Sequence, residues 1–361
     1  MSMQNLPPKQ DPPPMQNLRP VLEQLLARRD LSEPEAVALL ESLTCAQTTP
    51  AMAGALLVAL RLKGETAAEV RGLAQAMRAL ARRPAIPAAL DAIYIVGTGG
   101  DASGSLNLST GAALLAAACE LPVIKHGNRS ISSRSGSADL IEALGFTLPL
   151  DECVAAQCFA ATGFTFLFAP YYHPAMKTLA AVRTALGIRT VFNLLGPLTN
   201  PAAPRYHLMG AFSEAAALLM ADTLAGMEVE RAWVVHGAAG WDEATPVGPF
   251  LALEVYQGQI KRQVIDPREF GIEACTAQDL AGGDAVANLK ALQEVFAGQD
   301  QGPHRSALVL QTGMALYVAG RTFSIATGIE MARASIDSGA ALAWLVKLQQ
   351  FARKAAVSAA V

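Results

Sequence analysis

IYIVGTGGDASGSLNLSTGAALLAAACELPVIKHGN, residues 93–128, is the stretch on which the fold turns. A β-rich run, IYIV, enters a glycine-rich turn; a helical run, GAALLAAACE, follows, and LPVIKHGN returns to a strand-like composition. Strand, helix and strand in this order make the crossover unit of a parallel sheet. The rhythm continues downstream in SADLIEALG, FTFLFAP, AMKTLAAVRTALG, YHLMGAF, AAALLMADTLAGM and RAWVVHG. FLALEVYQGQIKRQVI then reads as an antiparallel pair turning at Gly258, and two or three helices are expected to finish the chain. In such sheets ligands bind beyond the C-terminal ends of the strands.

Upstream the period changes. VLEQLLARR, EAVALLESL, MAGALLVALRLKG and AEVRGLAQAMRAL carry apolar residues at helical spacing. Ser32 and Thr49 stand where N-caps belong, Pro50 takes a first helical position and Gly64 fits a helix stop. The expected class is therefore α/β: a small all-helical lobe over residues 18–90, joined by part of 174–200, against a larger lobe over 91–361 with a mostly parallel sheet flanked by helices. Residues 1–17, with five prolines and no periodicity, read as a disordered arm.

Composition narrows the function. The chain has 361 residues, a formal charge of −3 and dispersed Lys and Arg, without the basic excess of a protein that lives on nucleic acid or an anionic membrane. No apolar run reaches the ~18 residues of a membrane span, and the start lacks a signal peptide's apolar core, so a cytoplasmic location is expected. Five cysteines, odd in number and without zinc spacing, read as small buried hydrophobes in a reducing compartment.

Four motifs carry chemistry. GTGGD follows a strand and leads to a helix starting near Ser109-Thr110, so backbone N–H groups and a helix N-terminus can cradle phosphate. KHGNRSISSRSGSADLIEALG, residues 125–145, packs cations, hydroxyls and backbone amides densely enough for a pyrophosphate. In HPAMKTLAAVRTALGIRTVFNLLGPLTNP, residues 173–201, a helical middle would place His173 and Lys177 on one face with Arg183 two to three turns away, and NLLGPLTNP would form a rigid turn. In VVHGAAGWDEATP, the adjacent Asp242 and Glu243 point in different directions and can bracket a hydrated magnesium ion. Singly, the first is equally a tight turn, the second a polar loop and the last a solvated pair.

Together, in this order, GTGGD, NLST, KHGNRSISSRSGSAD, FAPYYHPAMK, the Arg183-to-Pro201 run and GWDE resemble the anthranilate phosphoribosyltransferases, of the nucleoside-phosphorylase-like class. TPAMAGALLVALRLKGET resembles the helical lobe of that family. The resemblance implies transfer of a ribosyl 5-phosphate from phosphoribosyl pyrophosphate to the amine of anthranilate in tryptophan synthesis, with Mg2+ and a homodimer. It implies that Gly97, Gly100, Asp101, Ser105, Asn107, Leu108, Ser109, Thr110, Lys125, His126, Gly127, Asn128, Arg129, Ser130, Ile131, Ser132, Ser133 and Ser137 hold the donor. Ser109, Asp242 and Glu243 would ligate the metal; Gly97, Asn128 and Arg183 would meet anthranilate, with His126, His173, Gly196 and Pro197 along its path. Small-molecule substrates are expected, and neither nucleic acid nor membrane.

An aromatic amine is a neutral nucleophile at pH 7, so no general base is nominated. Asp101, odd in a phosphate cradle, is tolerable because pyrophosphate arrives with metal and the ribose carbon develops positive charge. The chain departs from the family at Ala102, where a glycine is usual, at Ser105 and Leu106, and in ATPVGPF after Glu243. Such departures keep two other readings open: a pyrimidine nucleoside phosphorylase and a non-catalytic nucleic-acid binder of the same fold.

Overall fold

The computed structural model describes residues 17–87, 91–130 and 134–359. The arm expected over 1–17 lies outside them except for Asn17, as does the lobe boundary near residue 90.

Four helices open the described chain: Arg19–Leu26, Glu33–Thr44, Pro50–Lys63 and Ala67–Ala79. Their starts follow side-chain chemistry. Ser32 accepts from the Glu35 N–H while the Glu35 carboxylate accepts from the Ser32 N–H at 2.7 Å, and Thr49 accepts from the Met52 N–H at 3.3 Å. Thr66 and Glu69 form a second reciprocal cap that the pattern reading passed over. Gly64 closes the third helix at φ +90°, a conformation that glycine adopts without a Cβ penalty. Glu69 is buried and fully engaged: it accepts from Leu31 N–H and Lys63 Nζ, both at 2.9 Å, and from Thr66 N–H at 2.8 Å. An added Cβ on Gly72 would lie 2.3 Å from the Glu33 carbonyl oxygen, so the second and fourth helices meet backbone to backbone.

The seven strands are β1 (Ile93–Gly97), β2 (Val123–Gly127), β3 (Phe164–Phe168), β4 (Tyr206–Gly210), β5 (Arg231–His236), β6 (Phe250–Tyr256) and β7 (Gln259–Ile265). They form one sheet in the order β3-β2-β1-β4-β5-β6-β7. β1 to β5 run parallel; β6 and β7 are antiparallel, joined through Gln257 and Gly258, both at positive φ.

Alternation along the central strands feeds two cores. Ile93, Ile95, Leu208, Trp233 and Ala252 face the core built with Leu108–Ala118 and the C-terminal helices. Tyr94, Met209, Val234 and Leu253 face the other, which continues through Leu179, Val182, Phe192, Leu195 and Leu198 into the N-terminal helices.

Three expectations need correction. Four α-helices follow β7, not two or three: Ala285–Phe296, Pro303–Val318, Ile325–Asp337 and Ala340–Ala359. NLLGPLTNP is not a turn; Phe192–Leu198 is a short helix with Pro197 inside it, because burial of Phe192, Leu195 and Leu198 outweighs the breakers. Among the cysteines, none of which forms a disulfide, Cys119 and Cys158 are buried but Cys153 is exposed.

Candidate active site

The strand ends converge as the topology requires. Gly97, Gly127, Gly210 and Gly237 stand at or just past the C-terminal ends of β1, β2, β4 and β5. Three of them are spaces for the Asp242-Glu243 loop. An added Cβ on Gly97 would sit 2.3 Å from Asp242 Oδ2, on Gly210 1.5 Å from the Asp242 carbonyl oxygen, and on Gly237 2.1 Å from the Glu243 carbonyl oxygen. At Gly210 and Gly237 glycine is required by contact, because backbone on the far side cannot retreat, whereas at Gly97 it makes room for the Asp242 carboxylate.

The two carboxylates then diverge, as adjacency suggested. Asp242 Oδ2 accepts from Gly99 N–H at 2.5 Å and from Thr98 Oγ1 at 3.4 Å, on the glycine loop. Glu243 Oε1 accepts from Ser109 N–H at 2.8 Å, in the first turn of helix Leu108–Ala118, where the helix dipole favours an anion. Asp242 is buried, and burial followed by the charge of Asp101 pushes its carboxyl up to about 7. Burial and then Asp242 push Glu243 well above the usual carboxylate range. Lys125, also buried, donates to the Ile95 carbonyl at 2.8 Å and to Ser109 Oγ at 3.4 Å; burial lowers its ammonium to about 7 against the pull of Glu243 and Asp242.

This donor set suits magnesium. Asp242, Glu243 and Ser109 offer only oxygen, and burial with repulsion from neighbouring carboxylates raises the two carboxyls, a cost that a divalent cation bound between them would offset. Among the described residues no group of three His, Cys, Asp or Glu side chains forms a closed metal cage. That leaves the sparse protein ligation magnesium takes when phosphate oxygens and water complete its shell.

The glycine loop is held from within. Gly99, Gly100 and Gly104 have φ of +72°, +78° and +62°, and Ala102 is at +58°, so this alanine carries a left-handed conformation that glycine adopts without a Cβ penalty. Asp101 Oδ1 accepts from Ser103 N–H at 3.1 Å and Ser103 Oγ at 3.0 Å, and its Oδ2 accepts from Asp242 N–H at 3.4 Å. Asp101 thus shapes the loop and adds negative charge beside Asp242. Ser105 bridges to Ala281 and receives the Ser103 hydroxyl at 3.2 Å. Asn107 donates to the Ser135 carbonyl at 3.0 Å and accepts from Asn288 Nδ2 at 2.8 Å, which commits it to joining two loops and a distant helix. Leu108 and Thr110 are buried and contribute backbone.

At the end of β2 His126 is buried and Gly127 abuts Ser137, whose Oγ donates to the Asn128 carbonyl at 3.2 Å in the loop that follows. Asn128 is exposed and accepts from Arg129 N–H at 2.8 Å. Arg129 is turned to Glu142, at 2.5 Å, and stacks 4.8 Å from the Phe168 ring centroid, so it neutralises its own loop. Ser130 N–H donates to Asp139 at 3.2 Å. Ile131, Ser132 and Ser133 lie outside the described residues.

On the opposite face of the sheet, His126 lies edge-on to His173, ring centroids 5.0 Å apart. His173 does not share a helical face with Lys177: the helix begins at Lys177, which is exposed, while His173 precedes it, buried, with Nε2 3.0 Å from the Thr199 carbonyl. Arg183, in helix Lys177–Leu186, is half-buried with its guanidinium carbon 5.2 Å from the Phe192 ring centroid, and burial lowers its pKa. Among the described residues no carboxylate pairs with it. Pro197 is buried, whereas an added Cβ on Gly196 would meet nothing within 4 Å, so that glycine faces open space.

Sequence reasoning missed a buried polar group behind this site. His207 of β4 is fully buried, with neither ring nitrogen in a hydrogen bond, and its ring lies 6.3 Å from Tyr94. Burial first, then the Arg78 charge, lower it to about 3, against a Pro204 carbonyl whose geometry falls short of a hydrogen bond. Arg78 donates to the Leu198 carbonyl at 2.9 Å. A histidine neutral when folded but protonated when unfolded contributes stability above its unfolded pKa and loses it as pH falls. His207→Leu should therefore gain about 1.4 kcal/mol relative to the parent on going from pH 8 to 5.5, one unit below the ordinary pKa of 6.5. Urea unfolding at both pH values checks this. The comparison between variants cancels the Asp242 and Glu243 carboxyls, which titrate in the opposite sense, and a pH-independent difference would mean that His207 does not carry the effect.

Comparison with known proteins follows the same division. Residues 19–81 match the helical bundle domain of a glycosyl transferase family, and residues 89–342 match the a/b domain of that family. The chain is 45% identical over 334 residues to the anthranilate phosphoribosyltransferase of Methylobacterium radiotolerans, covering 92% of this chain and 96% of the relative. It is 44% identical over 339 residues to that of Rubrobacter xylanophilus, covering 94% and 98%. The crystal structure of anthranilate phosphoribosyltransferase from Thermus thermophilus superposes with a TM-score of 0.86 at 40% identity, covering 92% of this chain and 99% of that one. The Saccharomyces cerevisiae enzyme, solved in complex with PRPP and Mg, superposes at 0.84 with 27% identity, covering 93% and 98%. Identity of 45% and 44% over 92% and 94% of the chain, on a helical bundle and mostly parallel sheet that superpose on a solved member, places this chain in the anthranilate phosphoribosyltransferase family.

Proposed function

We propose that the chain transfers the 5-phosphoribosyl group from phosphoribosyl pyrophosphate to the amine of anthranilate, releasing pyrophosphate. The observation that carries this reading is the pair Asp242 and Glu243, held by main-chain N–H groups of two separate phosphate-type elements, the glycine loop and a helix N-terminus. Bound there, magnesium would neutralise pyrophosphate as it leaves. Asp242, Glu243 and Ser109 would hold that cation, and the loop N–H groups would orient the donor. As the ribose C1′–O bond breaks, its electron pair goes to pyrophosphate, and nearby carboxylate charge favours the cationic carbon. The amine nitrogen bonds to that carbon and afterwards releases a proton to the departing pyrophosphate or to water, so no residue need activate it beforehand. Arg183 meets the anthranilate carboxylate, with His126 and His173, neutral in their buried setting, lining the approach.

The test is direct: with magnesium and phosphoribosyl pyrophosphate present, anthranilate fluorescence should fall with time. Persistent fluorescence, together with cleavage of a pyrimidine nucleoside by phosphate, would replace this reading with the phosphorylase one. Homodimeric assembly belongs to the same proposal, and exposed Leu26 and Leu62 on the helical bundle offer apolar surface for it to cover.

A further inference from the structure

Arg189 lies between helices Lys177–Leu186 and Phe192–Leu198, on the helical side of the cleft, yet its side chain ends on the glycine loop. Arg189 Nη2 donates to the Gly100 carbonyl. Its guanidinium carbon lies 4.2 Å from the Phe212 ring centroid, close enough for the planar cation to stack. Its own carbonyl is taken by Arg61 Nη1 from helix Pro50–Lys63, so the residue is tied at both ends. The loop is also held from the sheet. Phe212 N–H donates to Thr98 Oγ1 at 3.1 Å, Thr98 Oγ1 donates to Asp242 Oδ2 at 3.4 Å, and Gly99 N–H donates to the same oxygen at 2.5 Å.

Gly99 and Gly100, both at positive φ, have no side chains with which to brace themselves. Consecutive residues are therefore fixed from two directions: Gly99 by a carboxylate beyond β5, Gly100 by a cation whose own carbonyl is bound by Arg61 of the N-terminal helices. Among the described residues no carboxylate pairs with Arg189, and its guanidinium meets the Gly100 carbonyl and the Phe212 face.

We propose that Arg189 is a positioning residue for the glycine loop, coupling the direction of the loop N–H groups to the seating of the helical bundle. It acts through the loop, and the proposal rests on the reading that this loop grips the phosphoribosyl donor.

The experiment uses the full-length chain with Arg189→Ala and Arg189→Lys. Without substrates, amide hydrogen exchange over residues 98–104 should quicken about 5-fold or more in Arg189→Ala, with helix Leu108–Ala118 unchanged. In steady state the KM for phosphoribosyl pyrophosphate should rise about 10-fold while kcat and the anthranilate KM stay within about 2- to 3-fold. Arg189→Lys should recover part of both effects, because it can still reach the carbonyl but loses the planar stack. Unchanged exchange over 98–104, faster exchange spread over the whole chain, or equal rises in both KM values would each overturn the proposal. If the parent chain transferred no phosphoribosyl group, the functional reading would fail, and exchange alone would decide the role of Arg189.

Discussion

Replacing Asp242 by Asn and Glu243 by Gln together lowers turnover at least ~100-fold, about 2.7 kcal/mol of transition-state stabilisation, and leaves the folded chain no less stable. The amide oxygens can still accept from Gly99 and Ser109 N–H, and the side chains keep their size, so the loop stays in place. What disappears is the charge that would hold a divalent cation. Ionising the two carboxyls is costly, since burial and repulsion from neighbouring carboxylates force both upward. The thermal midpoint without ligands should therefore hold or rise as turnover falls, an activity–stability trade-off that a lost structural contact would not produce. Steady-state rates across a magnesium titration, paired with thermal unfolding, check both halves. Near-normal rates at limiting magnesium would remove the pair from the site.

Arg183→Ala should lower kcat/KM for anthranilate roughly 10–100-fold, on the order of 1.4–2.7 kcal/mol, while binding of phosphoribosyl pyrophosphate measured alone barely changes. The guanidinium sits over Phe192, half-buried and without a carboxylate partner among the described residues. A partly desolvated cation without an anion gains most from a ligand that brings one, and a planar fork matches a carboxylate in two places. Arg183→Lys should recover only part of the loss. Since no ion pair of the fold is broken, the thermal midpoint should move little; a marked drop with both substrates equally affected would make Arg183 a structural residue.

The βαβ unit from Ile93 was legible because a β-rich run, a glycine turn and an alanine-rich helix follow in plain order, and Gly258 marked the hairpin as clearly. The caps at Ser32 and Thr49 were legible for the same reason: their partners are three residues away. Phe192–Leu198 was misread because local breakers were weighed without the core that overrides them. The residue types of the candidate site were visible in its motifs, but their wiring was not. Gly99 and Asp242 are 143 residues apart, and Asn107 and Asn288 are 181 apart, with nothing in spacing to pair them. His207 went unnoticed because one histidine in a β-rich run carries no mark of having no partner.

Lys125 and His126 are neighbours on one short strand, and they look in opposite directions. The lysine reaches Ser109 at 3.4 Å on the side of one core, and the imidazole faces His173 at 5.0 Å on the side of the other. In the proposed reading the sheet is then a partition: the sugar-phosphate chemistry is backed by one hydrophobic mass, the choice of aromatic acceptor by another. Substitutions that accumulate beneath the acceptor side can reshape what the protein accepts while Lys125 and the carboxylates across the partition keep their packing, so acceptor range is freest to drift wherever the Arg189 contact to the glycine loop is kept.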